Sequence, residues 1–273
     1  MRDEPADPTA RLQRSEIEVP ADPEQVWQAI ASRDGTAGWM FPTDIEAGEG
    51  STVVIHREPF GEPAVATVTA WDPPHRLAYE EPVTGPDGSA GPPLATEFLV
   101  EARAGGTCVV RVVSGIRHDG DGWEDLVEGA GEGWRMTLAV LSSYLTHFAG
   151  RPATALDEVI GAGRSHTDVS AALMAALGTT GLAAGDRFEA PAGAPPLAGV
   201  IEHLDPHFVL VRAELPCPAL FAISAFPMGT TAAVTVNVLG RLYGPDAATI
   251  AARDRPRWRA WFADRMAAET DLI

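Results

Sequence analysis

Two stretches of this sequence, ATVTAWDPPHRLAYEEP at 66–82 and AGVIEHLDPHFVLVRAELP at 198–216, repeat one design. Each alternates apolar and polar residues, turns at an Asp-Pro step and runs on in β-rich residues, the pattern of two antiparallel strands joined by a tight loop. The flanks repeat as well. GEGSTVVI and AAGDRFEA precede the two hairpins, TCVVRVVSGI and TAAVTVNVLGRLYG follow them, and GWRMTLAVLSSYL and RPRWRAWFADRM close them with helical spacing. A duplicated order of this kind constrains the fold more than any single motif, and a chain of 273 residues has room for both copies.

The first copy is the clearer one. SEIEVPA alternates as a strand, and DPEQVWQAI starts a helix with Asp22 as N-cap and Pro23 at the first helical position. GTAGWM reads as a second short helix ended by Pro42. Strands follow in GEGSTVVIHRE, AVATVTAW, RLAYEE, TEFLVEAR and TCVVRVVSGI, separated by Gly, Pro and Asp. The long segment 124–150 carries Leu126, Trp134, Leu138, Leu141, Tyr144, Leu145 and Phe148 at three- and four-residue steps. It predicts an amphipathic helix weakened by Gly129, Gly131 and Gly133. Residues 1–13 lack periodicity and are expected to be a flexible segment. In the second copy TDVSAALMAALG supplies a helix, but a first strand is missing unless ALDEVI serves. That unit is therefore expected to be divergent or truncated, or to share a sheet edge with the first.

The order strand, two helices, antiparallel strands, long helix resembles the START-like (SRPBCC) helix-grip superfamily, in the branch related to the C-terminal domain of the Hsp90 ATPase activator. IEVPADPEQVWQAI, the GW at 38–39, the GEGS turn at 48–51, VTAWDPPHRLAYE and GWRMTLAVLSSYL carry the resemblance, which covers about residues 12–150. It implies an α+β fold in which a curved antiparallel sheet wraps a long C-terminal helix, here as two units in tandem. The expected boundaries are 14–150 for the first unit and 151–273 for the second. It also implies a ligand cavity between sheet and helix.

Composition removes several functions. The net charge is −18, with most of the acidic excess in the first half, so nucleic acid and anionic membrane are poor partners. All 20 basic residues are arginine, and the lack of lysine excludes Schiff-base chemistry and a Walker A phosphate site. No apolar run is long enough to span a bilayer and the charged start lacks a signal-peptide core, so a cytoplasmic, non-inserted protein is expected. Cys108 and Cys217 stand alone in apolar surroundings and read as small core residues. His203 and His207 are separated by Asp205-Pro206, which breaks any helix that would align them on a metal. DGDGWEDLVEGA starts like a calcium loop but places Trp123 and Ala130 at ligand positions. No metal and no cofactor are expected, and no nucleophile motif is present.

Strand alternation selects the candidate site. Turning Arg111 to solvent turns Cys108, Val110, Val112, Ser114, Ile116 and His118 inward. Turning Arg57 outward turns Val54, His56 and Glu58 inward, while Leu77 and Tyr79, then Phe98 and Val100, face the same side. The expected ligand-binding set is Trp39, Val54, His56, Tyr79, Phe98, Val112, His118 and Trp134, with His56, Glu58, Tyr79 and His118 as candidates for proton transfer. The tryptophans offer flat apolar faces with a single N–H donor. The leading expectation is binding of a small hydrophobic or aromatic molecule without a catalytic motif. The resemblance also admits a cyclase, aromatase or dehydratase acting on a polyketide-like substrate, and a chaperone-associated interaction module.

Overall fold

The computed structural model describes residues 10–84, 90–117, 124–163, 165–228 and 233–270. The first half runs β1 (Ala10–Val19), α1 (Pro23–Ala31), α2 (Arg33–Trp39), β2 (Thr43–Ile45), β3 (Thr52–Ile55), β4 (Ala64–Asp72), β5 (Arg76–Glu81), β6 (Leu94–Arg103), β7 (Thr107–Arg117) and α3 (Glu124–His147). The second runs β8 (Thr154–Gly163), α4 (His166–Leu177), β9 (Arg187–Glu189), β10 (Ala198–Leu204), β11 (Phe208–Leu215), β12 (Ala219–Met228), β13 (Ala233–Leu242) and α5 (Ala247–Thr270).

Each half builds one antiparallel sheet, ordered β1-β7-β6-β5-β4-β3-β2 and β8-β13-β12-β11-β10-β9. The orders superimpose strand for strand except that the second lacks a counterpart of β2. The first strand missing from the sequence pattern is β8, which contains ALDEVI and pairs with β13 as β1 pairs with β7. It escaped detection because both its faces are covered, which erases alternation. Among the described residues the two sheets share no edge. β1 starts at Ala10, so residues 10–13, expected to be flexible, pair with 114–117 of β7.

The repeated hairpins match in detail. In β4–β5 the register slips between Val68 and Ala70, and in β10–β11 between Ile201 and His203. Each bulge therefore sits three residues before the turn aspartate, Asp72 or Asp205. A bulge at a fixed position is a feature of design that bends both sheets alike.

Capping starts α1 as the sequence predicts. Asp22 accepts from the Gln25 N–H at 2.8 Å and the Gln25 side chain accepts from the Asp22 N–H at 3.0 Å. α2 lies so close that a Cβ at Gly35 would meet the Gln28 carbonyl at 1.9 Å. Trp39 donates its indole N–H to the Ala29 carbonyl at 2.9 Å, tying the two helices together.

α3 differs most from expectation. Its residues Leu138, Ala139, Val140, Leu141, Tyr144 and Leu145 are all buried, on more than one face. The first sheet covers one side. Phe208, Leu210, Leu220, Ala222, Leu239 and Tyr243, on or just after strands of the second sheet, join the same core on the other. The opposite face of the second sheet holds a separate core with α4 and α5, where Phe221, Trp258, Trp261 and Phe262 pack together.

Polar bonds fix the two halves together. Arg241 on β13 is fully buried and donates through Nε and Nη2 to the Met40 carbonyl at 2.9 and 2.7 Å, and through Nη1 to Asp157 at 2.6 Å. Tyr243 donates to the Gly38 carbonyl at 2.7 Å. A Cβ on Gly38 would come within 2.7 Å of the Tyr144 ring, so the GW pair is needed for close approach at this junction. Cys108 is buried and Cys217 half-buried, both as free thiols.

Candidate functional site

Between the first sheet, α2 and Trp134 of α3 lies a cavity of about 180 Å³. Trp39, Phe41, Phe98 and Trp134 supply aromatic walls, with Phe98 and Trp134 edge to face at 5.3 Å. Ile30, Ile45, Ile55 and Leu94 complete the apolar lining.

One polar row crosses this lining. Tyr79, Thr96 and Ser114 occupy paired positions on β5, β6 and β7. Thr96 stands opposite Tyr79 in the strand register, and its Oγ1 lies 3.3 Å from the Ser114 Oγ. Buried hydroxyls survive only when hydrogen-bonded, and Thr96 and Ser114 satisfy one another while facing the cavity. At the rim Arg57 Nη2 meets Glu81 Oε1 at 2.9 Å, and Arg57 Nε donates to the Glu62 carbonyl at 2.8 Å.

Burial pushes the Tyr79 phenol well above its ordinary range, and the nearby Glu81 carboxylate adds to the effect. Tyr79 is therefore a hydrogen-bond donor here and not a base. Burial also raises Tyr144 and Tyr243, and these three are all the tyrosines of the chain. A group whose folded pKa lies above its unfolded value stabilises the fold fully below the unfolded value, about pH 10 for tyrosine, and loses that contribution as pH rises further. In an alkaline titration, phenolate absorbance should therefore rise at a higher pH in the folded protein than in the urea-unfolded chain. A tyrosine ionising near pH 10 in intact protein would contradict this placement.

Of the residues expected to bind a ligand, the structure brings Trp39, Tyr79, Phe98 and Trp134 to the cavity. Val112 faces inward beside Phe98 but lies in the surrounding core. His118, Trp123 and the calcium-like run 119–123 fall outside the described residues, as does the side chain of Leu126. The phase assigned to β3 is reversed: Val53 is buried, Ile55 and Arg57 line the cavity, and Val54 is only half-buried. His56 points away and bonds Asp44 at 2.8 Å, while Glu58 is exposed. The reason is the pairing of Arg57 with Glu81. An arginine can turn toward a cavity when its head reaches a carboxylate at the rim, so a charge is a poor marker of the solvent face near a strand end. Asp44, bonded by His56 and by Arg33 at 2.6 Å, has its carboxyl held below the usual range by these partners, His56 first.

Sequence reasoning missed Thr96, Glu81 and Arg57 as lining residues. Alternation from Phe98 and Tyr79 would have found the first two, since they share the parity of those residues.

A second cluster joins the halves. Glu132 on α3, His166 at the start of α4 and His207 in the β10–β11 turn bring one donor atom each within 4.8 Å of one another. The two imidazoles stack at 4.0 Å with planes 21° apart, so their in-plane lone pairs run side by side and do not converge as a tetrahedral ion requires. His166 Nε2 donates to the Ala225 carbonyl at 2.9 Å, and His207 Nδ1 lies 2.9 Å from Ser170 Oγ. In this geometry the cluster is a polar clasp between α3 and the second sheet.

A curved antiparallel sheet closed by a long helix, with the cavity between them and the arrangement repeated, defines a tandem of helix-grip units. Residues 20–146 match the family model described as Activator of Hsp90 ATPase homolog 1-like protein. Three solved structures show the extent of likeness. The di-domain aromatase/cyclase BexL of the BE-7585A biosynthetic pathway is 16% identical, with 96% of this chain and 95% of that chain covered and a TM-score of 0.45. DynU16, a putative protein of the dynemicin biosynthetic locus, is 18% identical over 95% of this chain and 98% of its own, with a TM-score of 0.43. The Aha1 dimer from Colwellia psychrerythraea is 20% identical over 51% of this chain and 98% of its own, with a TM-score of 0.41. No curated protein sequence matches the chain significantly. Among the described residues no helix is long and apolar enough to cross a membrane.

Proposed function

We propose that the first unit binds a small molecule with one aromatic or similar apolar ring carrying a hydroxyl or carbonyl group. The observation that carries this reading is the cavity itself: apolar and aromatic walls, with a row of three hydroxyls on one side. Its size fits, since an apolar cavity of about 150 Å³ accepts a benzene molecule. The few convergent polar groups in an apolar lining are what fixes the orientation of a ligand. Tyr79 donates, and Thr96 and Ser114 can donate or accept.

Native mass spectrometry of protein purified from its own host tests this. The expected result is a small discrete mass, lost on denaturation, whose fragmentation shows an aromatic or compact apolar ring. If no such mass is found and single-ring phenols added in millimolar excess also fail to bind, the reading is wrong.

A catalytic function in the cyclase, aromatase or dehydratase class has less support from the described residues. Neither His56 nor Glu58 reaches the cavity, Tyr79 is held protonated, and Glu81 is paired with Arg57.

A further inference from the structure

α3 carries Gly131 and Gly133 two residues apart, and the structure gives them different reasons to exist. A Cβ on Gly131 would come within 3.1 Å of the Gln13 side chain on β1, which would have to shift by a few tenths of an ångström. Among the described residues, a Cβ on Gly133 would meet nothing within 4 Å. Glycine in a helix interior costs about 1 kcal/mol relative to alanine, and no neighbour demands it at this position.

The space beside Gly133 is a second cavity of about 390 Å³ between the two units. Phe60, Met136 and Thr137 line it from the first unit, and Phe226, Asn237 and Leu239 from the second. Met40, Phe41 and Arg57 line both cavities, so the two chambers adjoin across these three side chains. The Phe41 and Phe60 rings lie 5.3 Å apart at the boundary. Asn237 also lines the new chamber: its Oδ1 accepts from Ser224 Oγ at 2.6 Å, and among the described residues its amide nitrogen donates to no partner, which leaves it available to a molecule in the chamber.

We infer that the inter-unit chamber is the second compartment of one binding site, and that Gly133 keeps it open. This rests on the proposed binding role of the first cavity. The ligand class it selects is a flat, elongated molecule of two or three rings. One ring lies against Tyr79, Thr96 and Ser114, the middle passes Arg57, and the far end carries an acceptor for the Asn237 amide. Arg57 at the junction is already paired with Glu81, so a carbonyl or hydroxyl oxygen suits it better than a full anion. The second unit thus contributes to the site through the back of its sheet.

Two probes, phenol and a hydroxyanthraquinone, test this by calorimetric titration of wild type, Gly133→Ala and Gly133→Leu. The leucine branch projects into the second chamber, and both substitutions favour helix, so the variants should fold. Gly133→Leu is expected to bind phenol within about twofold of wild type and the three-ring probe at least tenfold more weakly, while Gly133→Ala binds both. As an independent variant, Asn237→Ala should weaken the three-ring probe alone. Equal binding of the three-ring probe by wild type and Gly133→Leu, or its failure to bind wild type that does bind phenol, would overturn the two-compartment site and leave the single-ring reading standing. Failure of phenol to bind wild type would instead remove the first-cavity reading on which it rests.

Discussion

Arg241→Ala should lower the stability of the whole chain by about 3–5 kcal/mol, the cost of removing one partner from a buried ion pair. The substitution leaves Asp157 buried without its cation and takes from the Met40 carbonyl both of its guanidinium donors. Met40 sits where α2 meets the second sheet, so the loss is felt at the junction of the two units rather than within one of them. Urea unfolding followed by tryptophan fluorescence measures the effect. A double replacement, Arg241→Met with Asp157→Leu, should recover part of the loss because no buried charge is left unpaired. A single variant within 1 kcal/mol of wild type would show that the pair is not buried as described.

Ser114→Leu should abolish binding of single-ring ligands, weakening it by at least about 100-fold, or about 2.7 kcal/mol. Ser114 ends the hydroxyl row and lines the cavity, and a leucine side chain at that position would occupy much of its 180 Å³. The larger side chain and the loss of the Thr96 partner should together cost about 1–3 kcal/mol of stability, so the variant is compared under conditions where it remains folded. Ser114→Ala separates filling from chemistry: it removes one hydroxyl, worth about 1 kcal/mol, and should weaken binding less than about tenfold. Comparable binding by wild type and Ser114→Leu would place the ligand elsewhere.

The parts of this fold legible in the sequence are those where one face is wet. The alternation in TCVVRVV placed Ser114 and Val112 inward because Arg111 reaches solvent beside Glu16. The capping box announced α1, and the repeated Asp-Pro turn announced both hairpins. Where both faces are covered, the pattern loses its information. β8 was obscured for that reason, and so was the burial of α3 between two sheets, since a sequence does not say what covers the second face of a helix. The contacts of Arg241 and Tyr243 with Met40 and Gly38 join residues roughly two hundred positions apart, and no local rule anticipates them. The error at His56 has another origin. Arg57 was assumed to seek water, whereas its partner Glu81 lies across the sheet at the cavity rim.

The most direct test of the central claim is a crystal structure of the protein soaked with para-bromophenol, with the bromine located by its anomalous signal. The account predicts a ring in the cavity beside Phe98 and Trp134, its hydroxyl within hydrogen-bond reach of Tyr79, Thr96 or Ser114. A crystal in which side chains fill that space, or in which bromine binds only at other places, would contradict it.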